Sequence, residues 1–196
     1  MSSTQVYHGS CHCGHVKYQL RLTLPPALGP DHHLQKATRI YKCNCSTCHK
    51  MGMFHCRPID TYDDFILISP SDPKELGVYN AFGGKVNWYF CKKCAVRTFG
   101  IGGIWAQEDL DVEKWAGGEG GDGKPAKVWR TKALEDVKGF DGKPLHYVSV
   151  NAITLEGVDL VDWHKKGWIA YYENRERKGT EPLQVRNEEP FPGGCF

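Results

Sequence analysis

The chain predicts a mainly β fold built from hairpins around zinc-binding knuckles. Three observations carry this. Short β-branched and aromatic runs recur, bounded by Gly, Pro, Asn and Asp. Seven of the nine cysteines fall into three tight clusters: Cys11-His12-Cys13, Cys43-Asn44-Cys45-Ser46-Thr47-Cys48 and Cys91-Lys92-Lys93-Cys94. Helical periodicity, by contrast, is brief wherever it occurs.

Taken in order, Val16 to Leu22 alternates, with Tyr18, Leu20 and Leu22 on one face. Ala37 to Cys43 carries Ile40 and Tyr41 into the second cluster. Ser46 to Gly52 predicts one helical turn behind the cysteine loop, and Asp60 to Asp64 a capped turn. Phe65-Ile66-Leu67-Ile68 is a strand ended by Ser69-Pro70. Leu76 to Phe82 and Lys85 to Phe90 flank Gly83-Gly84, a two-residue hairpin signal. Val86 to Phe90, the third cysteine cluster and Val96 to Phe99 read as strand, knuckle, strand. His146 to Ile153 is a late strand. Residues 105–145 break the rhythm: the run Gly117 to Gly123 and then Lys124-Pro125 predict a flexible surface excursion. Gly118 to Lys124 matches GxxxxGK, but Pro125 stands where Ser or Thr should bind magnesium, so a loop is the better reading. The expected organisation is one domain over 1–180 and a polar tail over 181–196, with Cys195 an incidental thiol.

Composition narrows the function classes. With 196 residues, 40% apolar and 24% charged, the chain fits a single globular domain. A formal net charge of +2 with interspersed signs gives no electrostatic footprint for nucleic acid. No run approaches the roughly 18 apolar residues of a membrane span. Met1-Ser2-Ser3-Thr4-Gln5 lacks the start of a signal peptide, so the cytoplasm is the expected compartment. In that reducing setting clustered cysteines read as metal ligands. A disulfide framework would have to use an odd number of cysteines and strained CxC pairs. A thioredoxin-like site at Cys91 and Cys94 would need a helix that the flanking strands exclude.

Zinc takes four ligands in structural sites and three plus an open position in catalytic ones. Seven is four plus three. The pairs Cys11/Cys13 and Cys91/Cys94 can close one site between distant strands, whereas Cys43, Cys45 and Cys48 cap three corners from one loop. Other partitions leave an awkward remainder.

Gly9 to Val16, Cys43 to Gly52 and Tyr89 to Gly100 together resemble the glutathione-dependent formaldehyde-activating enzyme family, also named for centromere protein V. Val148 to Ala152 resembles that family's late strand. The resemblance covers roughly residues 7 to 172, with 105–145 as an insertion, and Ala95 replaces a Gly common in the family. It implies a β-tent fold of stacked antiparallel sheets, the same two-zinc partition, and carbon–sulfur bond formation and cleavage between glutathione and formaldehyde. Cys43, Cys45 and Cys48 would then be the catalytic residues, and glutathione the co-substrate. His49, Lys50 and Arg57 are the nearest candidate cations for its carboxylates, each also readable as a solvated surface charge. The tryptophans suggest an aromatic-lined cleft, which would suit a larger electrophile. The competing class is a non-catalytic two-zinc module for a protein partner; homodimerisation is left open. His12 and His15 are expected to point outward, and His32-His33 to lie in a loop. His55 and Cys56 are expected to pack in the core, with lining of the site the competing reading. Trp88 is expected beneath the structural zinc, and Trp163, Trp168, Tyr171 and Tyr172 to fold back onto the sheet.

Overall fold

Alternating apolar runs of this chain become two stacked sheets in a computed structural model that describes residues 2–28, 36–118, 124–139, 141–175 and 186–194. The first strands are β1 (Ser3–Ser10), β2 (Lys17–Leu24), β3 (Arg39–Cys43), β4 (Phe54–Arg57) and β5 (Phe65–Ser69). There follow β6 (Gly77–Ala81), β7 (Val86–Phe90), β8 (Arg97–Gly102), β9 (Ile104–Leu110) and β10 (Ala126–Lys132). The last are β11 (Leu134–Lys138), β12 (Pro144–Leu145), β13 (Tyr147–Asn151), β14 (Ile169–Tyr172) and β15 (Arg186–Asn187). Helices are short: α1 (Ser46–Met51), α2 (Val112–Trp115) and α3 (Leu160–Lys165).

One sheet runs β1-β2-β5-β10-β9, the other β15-β14-β3-β4-β13-β8-β7-β6, and β11 pairs with β12 apart from both. The main core joins the facing layers. Tyr18, Leu20 and Leu22 of β2 and Phe65 and Leu67 of β5 pack with Ile40, Cys56, Phe99, Ile101, Val148 and Val150 of the larger sheet. Each such fully buried side chain contributes roughly 1.5–3 kcal/mol. The larger sheet is not purely antiparallel: β14 lies parallel to β3, placing Tyr172 beside Cys43. Trp163 and Tyr171 join the core, so the C-terminal aromatic segment does fold onto the sheet.

The expected flexible excursion at 105–145 is largely strand. β9 and β10 pair over seven positions and extend the five-stranded sheet. Trp115 on α2 covers that sheet's outer face with Ile66 and Val128. The glycine run weighs heavily in a sequence reading, but it occupies only the connection between two alternating segments. Residues 119–123 lie outside the described residues, and so does most of the GxxxxGK stretch; His32, His33 and Cys195 do as well. In the expected tail, Arg186 and Asn187 form β15 against β14. Among the described residues no helix is long and apolar enough to cross a membrane.

Candidate metal centres

Two hairpin turns build the first site. Cys11 follows β1, and its amide bonds Val16 O at 3.1 Å while Gly14 N returns to Cys11 O at 2.9 Å. The turn between β7 and β8 repeats this: Cys91 N bonds Val96 O at 3.0 Å and Ala95 N bonds Cys91 O at 2.8 Å. The residue after each second cysteine is left-handed, Gly14 at φ +71 and Ala95 at φ +59. Ala95 thus accepts the knuckle geometry the sequence asks of it, at some strain. The four sulfurs of Cys11, Cys13, Cys91 and Cys94 lie within 4.8 Å of one another. Cys13 Sγ is 3.6 Å from both Cys11 Sγ and Cys91 Sγ. A tetrahedron of Zn–S bonds requires about 3.8 Å, so the donors fit zinc. Backbone N–H groups, that of Val96 foremost, hold the Cys94 thiol down to about 6. Since β1 and β2 belong to one sheet and β7 and β8 to the other, a metal here would tie the layers together.

The second site sits on the opposite face of the larger sheet. Cys43 ends β3; Cys45 is the N-cap of α1 and Cys48 lies in its first turn. Gly52 at φ +62 closes the helix and returns the chain into β4. The three sulfurs lie within 4.8 Å of one another, and no further His, Cys, Asp or Glu among the described residues joins them. This matches the partition drawn from counting: four donors in one cluster, three in the other.

Each of the three sulfurs meets an N–H. The Cys48 amide donates to Cys45 Sγ at 3.4 Å. Asn174 Nδ2 donates to Cys43 Sγ at 3.3 Å. His55 Nε2 lies 3.1 Å from Cys48 Sγ, with Ser149 Oγ 2.9 Å from its Nδ1. Burial above all, with the positive charge of Arg57 acting the same way, holds the His55 imidazole down to about 3, so it is neutral. A metal-bound thiolate has no proton to give. With metal on the triplet, Nε2 would therefore carry the ring proton and Nδ1 would accept from Ser149. Hydrogen bonding from neighbouring sulfurs lowers the Cys45 thiol and raises those of Cys43 and Cys48. Three crowded sulfurs resist ionising together without a cation.

Aromatic rings wall the site. Tyr41 stacks on His55 at 4.4 Å between centroids, and Trp88 meets His55 edge-on at 5.7 Å. Trp88 packs with Cys43, Cys48, Met53, Val86 and Tyr147, not beneath Cys91 as its position in the sequence suggested. Strand alternation explains this: Tyr89 and Cys91 point into the main core, and Trp88 points the other way. The same rule separates His55, which lines the triplet, from Cys56, which is buried between the sheets. The guanidinium of Arg57 covers the Tyr147 ring at 4.5 Å, and that tyrosine's hydroxyl is 3.5 Å from His55 Nδ1. His49 and Lys50 are exposed in the last turn of α1, where positive charge suits the helix C-terminus. His12 is exposed, and His15 is half-buried 3.7 Å from Glu75.

Asn44, between two triplet cysteines, is buried and anchors the chain after β14. Its Nδ2 donates to Glu173 Oε2 at 2.7 Å, and its Oδ1 accepts from the Asn174 amide at 2.7 Å and the Arg175 amide at 3.1 Å. Sequence reasoning assigned neither Asn44 nor Asn174. Asn44 had a local cue, its place inside the cluster; Asn174 had none.

The fold and its clusters define a two-layer, mainly β protein with two cysteine centres suited to zinc. No family model matches the sequence, and no curated protein matches it. A crystal structure of a Rhodobacter sphaeroides protein superposes with a TM-score of 0.42 at 18% identity, over 79% of this chain and 93% of that one. A likeness at that level says nothing of function.

Proposed function

We propose that the protein is a zinc-dependent enzyme that forms or cleaves a carbon–sulfur bond between glutathione and a carbonyl electrophile, formaldehyde or a larger metabolite. The observation that supports this is the contrast between the clusters: four cysteines tie two sheets together, while Cys43, Cys45 and Cys48 offer three donors from one loop. A closed scaffold has no need of a three-donor site.

Zinc held by the triplet would supply a soft positive centre that favours the thiolate form of an added thiol. The chain's own residues supply the surroundings. Tyr41, His55, Trp88 and Tyr147 exclude water, and Arg57 is the candidate partner for a carboxylate. In the reaction the thiol sulfur bonds the carbonyl carbon, the C=O π pair moves to oxygen, and the proton given up by the thiol ends there. The product is a thiohemiacetal such as S-hydroxymethylglutathione. A non-catalytic two-zinc module is the second reading, favoured by the exposed edge strand β6, where Val78 and Tyr79 face solvent.

The test is calorimetric titration of the zinc-loaded protein with glutathione and S-methylglutathione, in buffers of different ionisation enthalpy, alongside a screen of aldehydes and quinones for adducts. Proton release, much weaker binding of the methylated analogue and adduct formation sensitive to chelator are expected. Equal affinity without proton release, and no adduct, would favour the module.

A further inference from the structure

The two centres differ in what stands behind their sulfurs. At the four-cysteine site the N–H donors are backbone amides of the knuckles themselves: Val16 to Cys11 at 3.2 Å, Lys93 to Cys91 at 3.4 Å, and the amides of His15 and Val96 at Cys13 and Cys94. Any zinc knuckle provides these. At the triplet the loop amides of Cys45, Thr47 and Cys48 do the same for Cys43 and Cys45. What the triplet adds is two side-chain donors brought from other elements, His55 on β4 to Cys48 and Asn174 after β14 to Cys43.

Both are placed at a cost. His55 is an imidazole only 2% exposed, fixed by Ser149 and stacked on Tyr41. Asn174 is held by Asn44 through its amide, and its Oδ1 is buried without a partner among the described residues.

We propose that His55 and Asn174 are positioning residues that draw electron density from the Cys48 and Cys43 thiolates, so that the triplet's own sulfurs do not compete with an incoming thiol for the electrophile. This rests on the zinc reading above. Three thiolates on a dication leave a net negative centre, and each remains a nucleophile. A site that handles carbonyl electrophiles beside unguarded thiolates would alkylate itself. A charge-assisted N–H bond to each sulfur lowers that reactivity while keeping the sulfur on the metal.

The experiment needs neither glutathione nor a carbonyl, so it is independent of whether the enzyme reading holds. His55→Phe keeps a ring on Tyr41 but cannot donate; His55→Gln keeps a donor; Asn174→Leu removes the other donor from a loop outside the core. Each is loaded with cobalt to read the sulfur-to-metal charge-transfer band, and with zinc to follow iodoacetamide alkylation, mapped by mass spectrometry. Losing one donor should speed alkylation of its own sulfur about fivefold, Cys48 in His55→Phe and Cys43 in Asn174→Leu, with the band moving to lower energy. His55→Gln should stay close to the parent protein. Unchanged band and rate in Asn174→Leu would overturn the proposal, even if His55→Phe fails to fold. Equal acceleration at all three sulfurs would also overturn it, because that pattern means loosened metal and not a lost donor.

Discussion

Ala95→Gly should make the protein more stable, and the gain can be worked from the geometry. Ala95 sits at φ +59, where a side chain presses its Cβ toward the carbonyl oxygen. That conformation costs an L-residue roughly 1–2 kcal/mol, whereas a glycine costs about 0.5–1 kcal/mol through the freedom it loses on folding. The methyl is exposed, so its removal forfeits no packing, and the 2.8 Å bond from the Ala95 amide to Cys91 O survives. The net gain is about 0.5–1 kcal/mol, or a rise of roughly 1–4 °C in melting temperature for a chain of this size. Gly14 supplies the mirror test. It occupies the same place in the first knuckle at φ +71, with nothing closer to an added Cβ than Lys17 Cε at 4.0 Å. Gly14→Ala should therefore lose what Ala95→Gly gains. Thermal unfolding of both zinc-loaded variants, followed by circular dichroism, decides it. If Ala95→Gly melts at or below the parent while Gly14→Ala is neutral, left-handed strain is not what separates the two knuckles.

Cys94→Ser should unfold or aggregate the protein, because closed-site zinc binding contributes on the order of 10 kcal/mol to folding, whereas Cys45→Ala should keep the fold and lose the proposed thiol-adduct activity. A Cys45→Ala protein that melts like Cys94→Ser would show that both metals are structural. Gly100→Ala would put a Cβ 2.6 Å from Trp88 Cε3 and Cζ3. The ring must shift beside His55, costing roughly 1–3 kcal/mol, and a changed tryptophan emission should report it. His146 is half-buried between Thr61 Oγ1 at 2.8 Å and Thr131 O at 2.8 Å, and burial first of all lowers its pKa from 6.5. The unfolded chain therefore binds this proton more readily. The stability tied to neutral His146 is complete above 6.5 and falls as pH drops toward the lowered folded value. His146→Gln should flatten that part of the denaturant-midpoint profile; an unchanged profile would assign the acid sensitivity elsewhere.

The cysteine spacing carried both sites into view before any strand was placed, since ligands two and three residues apart must converge locally. Most strands that were legible, from Tyr18 to Val150, are those whose alternation faces the main core; the exposed edge strand β6 was marked by its Gly83-Gly84 turn instead. β1 escaped notice because it is a polar edge strand, with only Gly9 fully buried. β9 and β10 were hidden behind the glycine run between them, although Val128 and Trp129 mark the alternation. His55 was within reach: the α1 turn folds β4 back along β3, so Tyr41 pairs with His55 and both share the triplet's face. Asn174 was not, because it meets Cys43 across 131 residues and only the parallel pairing of β14 brings it there.

That parallel strand also sets an order of events during synthesis. The four-cysteine site has all its ligands once residue 94 is made, but β3 lacks its neighbour β14, and Cys43 the Asn174 side-chain amide, until residue 174 is made. At about 5–20 residues per second the interval is roughly 4–16 s. On the ribosome the first metal can enter a finished tetrahedron. A metal at the triplet would meet a loop that still lacks β14, so under the role proposed for Asn174 the nascent chain would be more open to electrophiles at Cys43 than the finished fold.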